Sequence, residues 1–343
     1  LKRLNHLLSA APAVLALAGA IALAGCGEKS DTLAASNTKP FTVMLDFFPN
    51  ADHAPLYAAI DRGYFRAVGL DVVPETPADP ATPLQLLEAG RVDMAISYEP
   101  EVLLARDHGA HVVSIAALVQ RPLTSIIALP GQHVHTVADL RGKTVGTAGI
   151  AYQAAELRTA LQTAGVPPGA VKEVNVGFNL VPAMLSGKVA ATLGGFWNYE
   201  AIELELMHRH PLTIPVDRAG VPPYDELVLV VREEEARHDG QDLRAFLQAL
   251  TSGERAVRAD PAAAARYVMR ANPSLSSHLQ RTSIERTLAA TLPSDPSDPY
   301  GWQDPARWAA FGRWMFERGL LARDPGASGL PPFTNEFLPG QGI

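Results

Sequence analysis

Apolar and small residues run without interruption from Leu7 to Ala24, behind a cationic Leu1-Lys2-Arg3, and the run ends on Leu23-Ala24-Gly25-Cys26. A positive start, an apolar middle and small residues before a cut site predict a secretory signal peptide over residues 1–25. The run is also long enough for a membrane-spanning helix. A plain anchor, however, needs no small-small-Cys ending, and the residues after Cys26 are polar. Residues 26–40, rich in Ser, Thr, Asn, Asp and Ala, predict a flexible tether.

Beyond the tether the pattern changes to short apolar runs separated by longer amphipathic segments. Strands are predicted at Phe41–Leu45, Gly69–Val73, Asp93–Ile96 and Val112–Leu118, with helices at Ala54–Asp61, Pro83–Ala89 and Glu99–Asp107 between them. Leu129-Pro130-Gly131 breaks the series. It restarts with strands at Thr144–Thr147, Val171–Val176 and Ala190–Gly194 and helices at Gln153–Ala164 and Leu180–Ser186. A second break falls at Gly220-Val-Pro-Pro223, followed by Leu227–Val231, wholly apolar and so expected to be buried on both faces. The remainder reads as helical.

Strand–helix alternation predicts an α/β fold with largely parallel sheets. Two such units between paired breaks predict two lobes: residues 41–129 and 224–343 form the first, and 130–223 the second. Open α/β sheets bind ligands beyond the carboxyl ends of their strands, so the expected site is the cleft between the lobes, closed by hinge motion.

Composition narrows the chemistry. The 343 residues carry a formal net charge of −7, which gives no basic footprint for nucleic acid. Cys26 is the only cysteine, so no intrachain disulfide and no thiolate cluster for zinc can form. Gly142-Lys143-Thr144 is not a phosphate loop, because Val137 stands where the first glycine is required. No Gly-x-Ser-x-Gly elbow is present. His133-x-His135 and His208-x-His210 lack partners at metal-ligand spacing. No metal site, cofactor or catalytic residue is expected.

Several segments carry a family resemblance. Leu23-Ala-Gly-Cys26 resembles the lipobox of bacterial lipoproteins, in which the cysteine is acylated and becomes the first residue of the mature chain. Gly63-Tyr-Phe65 and Asp139-Leu-Arg-Gly-Lys-Thr144 are similar to segments of many type II periplasmic-type substrate-binding proteins of ABC importers. Narrower segments are Leu45-Asp-Phe-Phe-Pro-Asn-Ala-Asp-His53, Ala95-Ile-Ser-Tyr-Glu99, Gly194-Gly-Phe-Trp-Asn-Tyr-Glu200 and Tyr224-Asp-Glu-Leu227. They resemble the NMT1/THI5-like branch, which includes binding proteins for pyrimidine precursors of thiamine. That family often has Trp where this chain has Phe47.

The resemblance implies a type II periplasmic-binding-protein fold. It also implies an exported, lipid-anchored monomer that passes an aminopyrimidine to an ABC permease and its ATPase. Riboflavin, a sulfonate or nitrate would be alternative cargoes on the same fold. Eukaryotic relatives synthesise the pyrimidine with a cysteine-rich segment and pyridoxal phosphate. A single cysteine assigned to a lipid speaks against that role here.

The candidate ligand contacts lie where the narrow segments meet predicted strand ends. A flat heterocycle needs rings to stack on and a few polar groups along its edge. Phe47 and Asn50 follow the first strand, as ring face and amide edge or as core and turn residue. His53 and Tyr57, four apart, can share a helix face. Tyr98 follows the third strand. Phe196, Trp197 and Asn198 lead to Glu200, whose carboxylate can accept paired hydrogen bonds from an aminopyrimidine edge. Tyr224 sits at the second crossover, where hinge and ligand roles are both open.

Overall fold

The computed structural model describes residues 38–325 and 331–341. The segments expected to be signal peptide and tether, up to residue 37, and Cys26, the expected acylation site, lie outside the described residues. Among those described, no helix is long and apolar enough to cross a membrane.

Strands form where β-branched and apolar residues cluster. They are β1 (Lys39–Met44), β2 (Leu70–Glu75), β3 (Met94–Ser97), β4 (Val112–Val119), β5 (Thr124–Ala128), β6 (Thr144–Thr147), β7 (Lys172–Asn175), β8 (Ala191–Phe196), β9 (Leu212–Pro215) and β10 (Leu227–Arg232). They build two five-stranded sheets, in the orders β2-β1-β3-β10-β4 and β7-β6-β8-β5-β9. β1 already begins at Lys39, paired with Leu70, so the last residues assigned to the tether are strand.

The sheets share one topology. In the first, β2, β1 and β3 run parallel and β10 enters antiparallel to both β3 and β4. In the second, β7, β6 and β8 run parallel and β5 enters antiparallel to β8 and β9. Each sheet thus takes its one reversed strand from just beyond a crossover, and neither sheet is parallel throughout. β10 is a central strand, as its apolar run predicted. β5 corrects the expected lobe boundary. Thr124–Ala128 belongs to the second sheet, so the chain crosses over between Val119 and Thr124, before Pro130. It returns between Ala219 and Leu227.

Helices cover both faces of the sheets. The helix Gly240–Ala259 presents Leu243, Phe246, Leu247, Leu250 and Val257 to the core at helical spacing. It packs with the helix Ala54–Asp61 over the first sheet. The helix Pro305–Glu317 buries Trp308, Phe311 and Met315 in a core continuous with residues of both sheets, among them Ala95, Ala117 and Val228 of the first and Ile126 and Val145 of the second. That shared core fixes the carboxyl ends of the parallel strands opposite one another.

Candidate functional site

A narrow cavity, with about 30 Å³ of room for the centres of water molecules, lies beyond the carboxyl ends of the parallel strands of both sheets. The first sheet contributes Asp46, Phe47 and Asn50 after β1 and Tyr98 after β3. The second contributes Tyr152 and Gln153 after β6, Phe178 after β7, and Phe196, Tyr199 and Glu200 at and after β8. Another hollow beside Arg106, His111 and Glu233 adjoins the opposite, amino-terminal end of the first sheet. The rule that open α/β sheets bind at carboxyl ends favours the former.

Asp46 is the polar centre of the first-sheet wall. It is buried, and its Oδ1 lies 2.8 Å from His53 Nε2 while Oδ2 accepts from the Tyr98 hydroxyl at 2.9 Å. His53 Nδ1 accepts from the Asn50 amide at 3.2 Å, so Nε2 carries the proton and donates to Asp46. Asn50 Oδ1 accepts from the Asp52 amide at 2.8 Å, and its Nδ2 donates to the Phe48 carbonyl. Asn50 therefore lines the cavity while its amide also shapes the turn.

Glu200 is the polar centre of the second-sheet wall. Its Oε2 accepts from the Phe196 amide at 2.7 Å, and burial pushes its pKa up to about 7. Gly194, at φ 109°, gives β8 its approach to the cavity, because a Cβ there would overlap the Gln153 amide. Gln153 Oε1 in turn accepts from the Ala148 amide at 2.9 Å. Tyr98 and Tyr152 meet across the cleft with ring centroids 5.9 Å apart. Among the described residues, the lining thus combines rings with two carboxyl groups and holds no Lys or Arg.

The sequence-predicted residues divide into two groups. Phe47, Asn50, Tyr98, Phe196 and Glu200 line the cavity. The other five are turned elsewhere. His53 is buried behind Asp46 and acts through it. Tyr57 packs in the first-sheet core, where burial raises its pKa to about 12. Trp197 donates from Nε1 to the Pro122 carbonyl at 3.0 Å and faces a surface hollow with Arg121 and Arg286. Asn198 Nδ2 donates to Asp52 Oδ1 at 2.6 Å and Thr287 Oγ1 at 2.7 Å, tying this turn to the first sheet's helices. Tyr224 is fully buried, stacks near Phe311 and donates to Glu226 at 3.2 Å, which gives it a crossover role.

Five of the cavity residues named above are not among the predicted contacts: Asp46, Tyr152, Gln153, Phe178 and Tyr199. Asp46 and Phe178 had a usable signal, since each lies within two residues of the end of a predicted strand.

The model of the family described as NMT1/THI5 like matches residues 50–264. A formylaminopyrimidine-binding protein of Halalkalibacterium halodurans is 35% identical over 82% of this chain and 88% of its own length. A 4-amino-5-hydroxymethyl-2-methylpyrimidine phosphate synthase of Schizosaccharomyces pombe is 24% identical over 78% of this chain and 79% of its own. The alkanesulfonate-binding protein SsuA of Xanthomonas axonopodis pv. citri, solved with MOPS bound, superposes with a TM-score of 0.66 at 16% identity, over 84% of this chain and 96% of that one. With the match extending over more than half of its residues and through most of the cavity wall, this chain belongs to the NMT1/THI5-like family and has the type II periplasmic-binding-protein fold.

Proposed function

We propose that this protein is the extracytoplasmic binding component of an ABC importer and that it carries an aminopyrimidine precursor of thiamine, of the hydroxymethyl or formylaminomethyl type. The observation that carries the reading is the cavity itself, rings on several sides with Asp46 and Glu200 at opposite walls. A pyrimidine stacks between rings, and its amine and adjacent ring nitrogen pair with a carboxylate edge. The identity shared with a formylaminopyrimidine-binding protein supports the same ligand class. Export and lipid attachment at Cys26 belong to this proposal and rest on the Leu23-Ala-Gly-Cys26 segment.

The wall chemistry also bears on the alternatives. A sulfonate, nitrate or phosphate would lie beside two carboxyl groups without a cation among the lining residues, and desolvating an unpaired anion is costly. Pyrimidine synthesis is disfavoured too, because the family's enzymes use a cysteine-rich segment and this chain has one cysteine. Isothermal titration of the purified protein tests the reading. Formylaminopyrimidine and 4-amino-5-hydroxymethyl-2-methylpyrimidine should bind with micromolar or tighter affinity. The phosphate ester of the latter and an alkanesulfonate should bind at least about a hundredfold more weakly, the factor that some 2.7 kcal/mol of unpaired-charge cost implies. Preference for the sulfonate or the phosphate ester would overturn it.

A further inference from the structure

Three rings meet where the cavity opens to solvent. Phe47 and Phe48 follow β1 in the first sheet, and Phe178 follows β7 in the second. Phe178 lies 4.8 Å from Phe47, near-perpendicular at 85°, and 5.1 Å from Phe48 at 55°. Phe47 and Phe48 are themselves 5.2 Å apart. Phe47 and Phe178 are half-buried and line the cavity, whereas Phe48 does not line it and is 45% exposed. The cluster therefore runs from the cavity wall to the surface, and it joins opposite sides of the cleft. Tyr98 and Tyr152, the other cross-cleft ring pair, are fully buried.

The turn that presents Phe178 is fixed in place. Asn175 Oδ1 accepts from the Gly177 amide at 2.8 Å, an Asx turn that ends β7. Gly149, at φ 85°, packs so closely on Asn175 that a Cβ there would overlap its amide. Phe178 is thus held by β6 and β7 of the second sheet and touches only first-sheet rings in this cluster. A ligand leaving past these rings must part Phe178 from Phe47 and Phe48, which breaks one edge-to-face and one tilted ring contact with no hydrogen bond to replace them.

We propose that Phe178 is the gate of the cleft, closing against Phe47 and Phe48 so that separation of these rings sets the rate of ligand release. The proposal rests on the pyrimidine-binding reading only for the choice of probe. Phe48 makes it testable, because it belongs to the gate but not to the cavity wall. Release of 4-amino-5-hydroxymethyl-2-methylpyrimidine from the loaded protein is followed by stopped-flow fluorescence. Phe178→Ala should accelerate release about tenfold and Phe48→Ala about threefold, because the first removes both ring contacts that cross the cleft and the second removes one. A wild-type release rate in Phe48→Ala would reduce Phe178 to an ordinary wall residue and overturn the gate.

A second measurement needs no ligand. The Phe196 amide donates to Glu200 inside the cavity, so its hydrogen exchange reports access through the mouth. Exchange there should be several-fold faster in both variants. Unchanged protection in both would overturn the gate whatever the cargo. Failure of the wild-type protein to bind any pyrimidine would count against the functional reading and leave exchange to decide the gate.

Discussion

Glu200 concentrates the recognition chemistry at the scale of single residues. One oxygen is engaged by the Phe196 amide, and burial holds the carboxyl near half-ionised at neutral pH. A ligand that donates to it from an amine gains a hydrogen bond to a charged group, worth about 1.5–3 kcal/mol. Glu200→Gln keeps the shape and an acceptor for Phe196 but removes the charge. Calorimetry should show affinity for the hydroxymethyl pyrimidine falling about tenfold to a hundredfold, without loss of folding stability. A loss under twofold would remove Glu200 from the contact set. The neighbours of Glu200 show why side-chain direction is harder to read than position. Phe196, Tyr199 and Glu200 share the cavity face of the turn. Trp197 and Asn198 lie between them in sequence and point to Pro122 and Asp52. Their chemistry fits a pyrimidine equally well, and only the turn geometry assigns them elsewhere.

Among elements, the two crossovers carry the most specific polar packing. Glu226, on the returning crossover, accepts from the Leu123 amide at 2.6 Å, the Thr124 amide at 2.8 Å and Thr124 Oγ1 at 2.9 Å on the outgoing one. Beside it, Asp225 accepts from Arg307 at 2.9 Å and Trp308 Nε1 at 2.8 Å, and Arg307 also donates to the Gln120 carbonyl. Glu226→Ala would leave two buried backbone donors without partners. Chemical denaturation should show a loss of about 3 kcal/mol or more, at the upper end for single changes. A loss below about 1 kcal/mol would mean that water replaces the carboxylate at both amides. These crossovers were also the least legible part of the sequence. Gly220-Val-Pro-Pro223 lies in the returning connection between Ala219 and Leu227, whereas Leu129-Pro130-Gly131, stronger punctuation than Arg121-Pro122, lies one strand beyond the outgoing connection. Thr124–Ala128 follows β4 after a short connection and has the same apolar character, so local pattern does not separate them. Leu212–Pro215 was missed because proline at its end and just before its start argues against a strand. It is an edge strand, paired only with β5, where a missing donor is tolerated. The helices Ala54–Asp61 and Glu99–Asp107 matched residue for residue, since amphipathic spacing and clear end signals agreed there.

Across the whole molecule, the recurring theme is the buried carboxyl group. Glu99 and Glu156 are fully buried, and desolvation holds both well above the usual carboxylate range, reinforced by the charges of Asp225 and Glu226 respectively. Burial likewise lifts Asp52, Glu101, Glu200 and Glu226 to about 7. The counterweight of hydrogen bonds and of Arg307 is too small to reverse any of these directions. In each case the folded chain keeps a proton that the unfolded chain releases near pH 4.5 or below. Stability therefore falls as pH rises from the unfolded carboxylate range through about 7, by up to about 1.4 kcal/mol per unit for each group that titrates differently. The exposed Asp139 and Asp295, whose pKa values are lowered by hydrogen bonds, act in the opposite sense but only below pH 4. Melting temperature measured by calorimetry should accordingly be higher at pH 5.5 than at pH 8. The difference should shrink in Glu156→Gln, which carries the neutral form permanently. A melting temperature that is flat or rises across that interval would show these carboxyl groups ionised in the fold, with solvent or counter-ions reaching them. It would then also remove the basis for treating Glu200 as half-protonated when the ligand arrives.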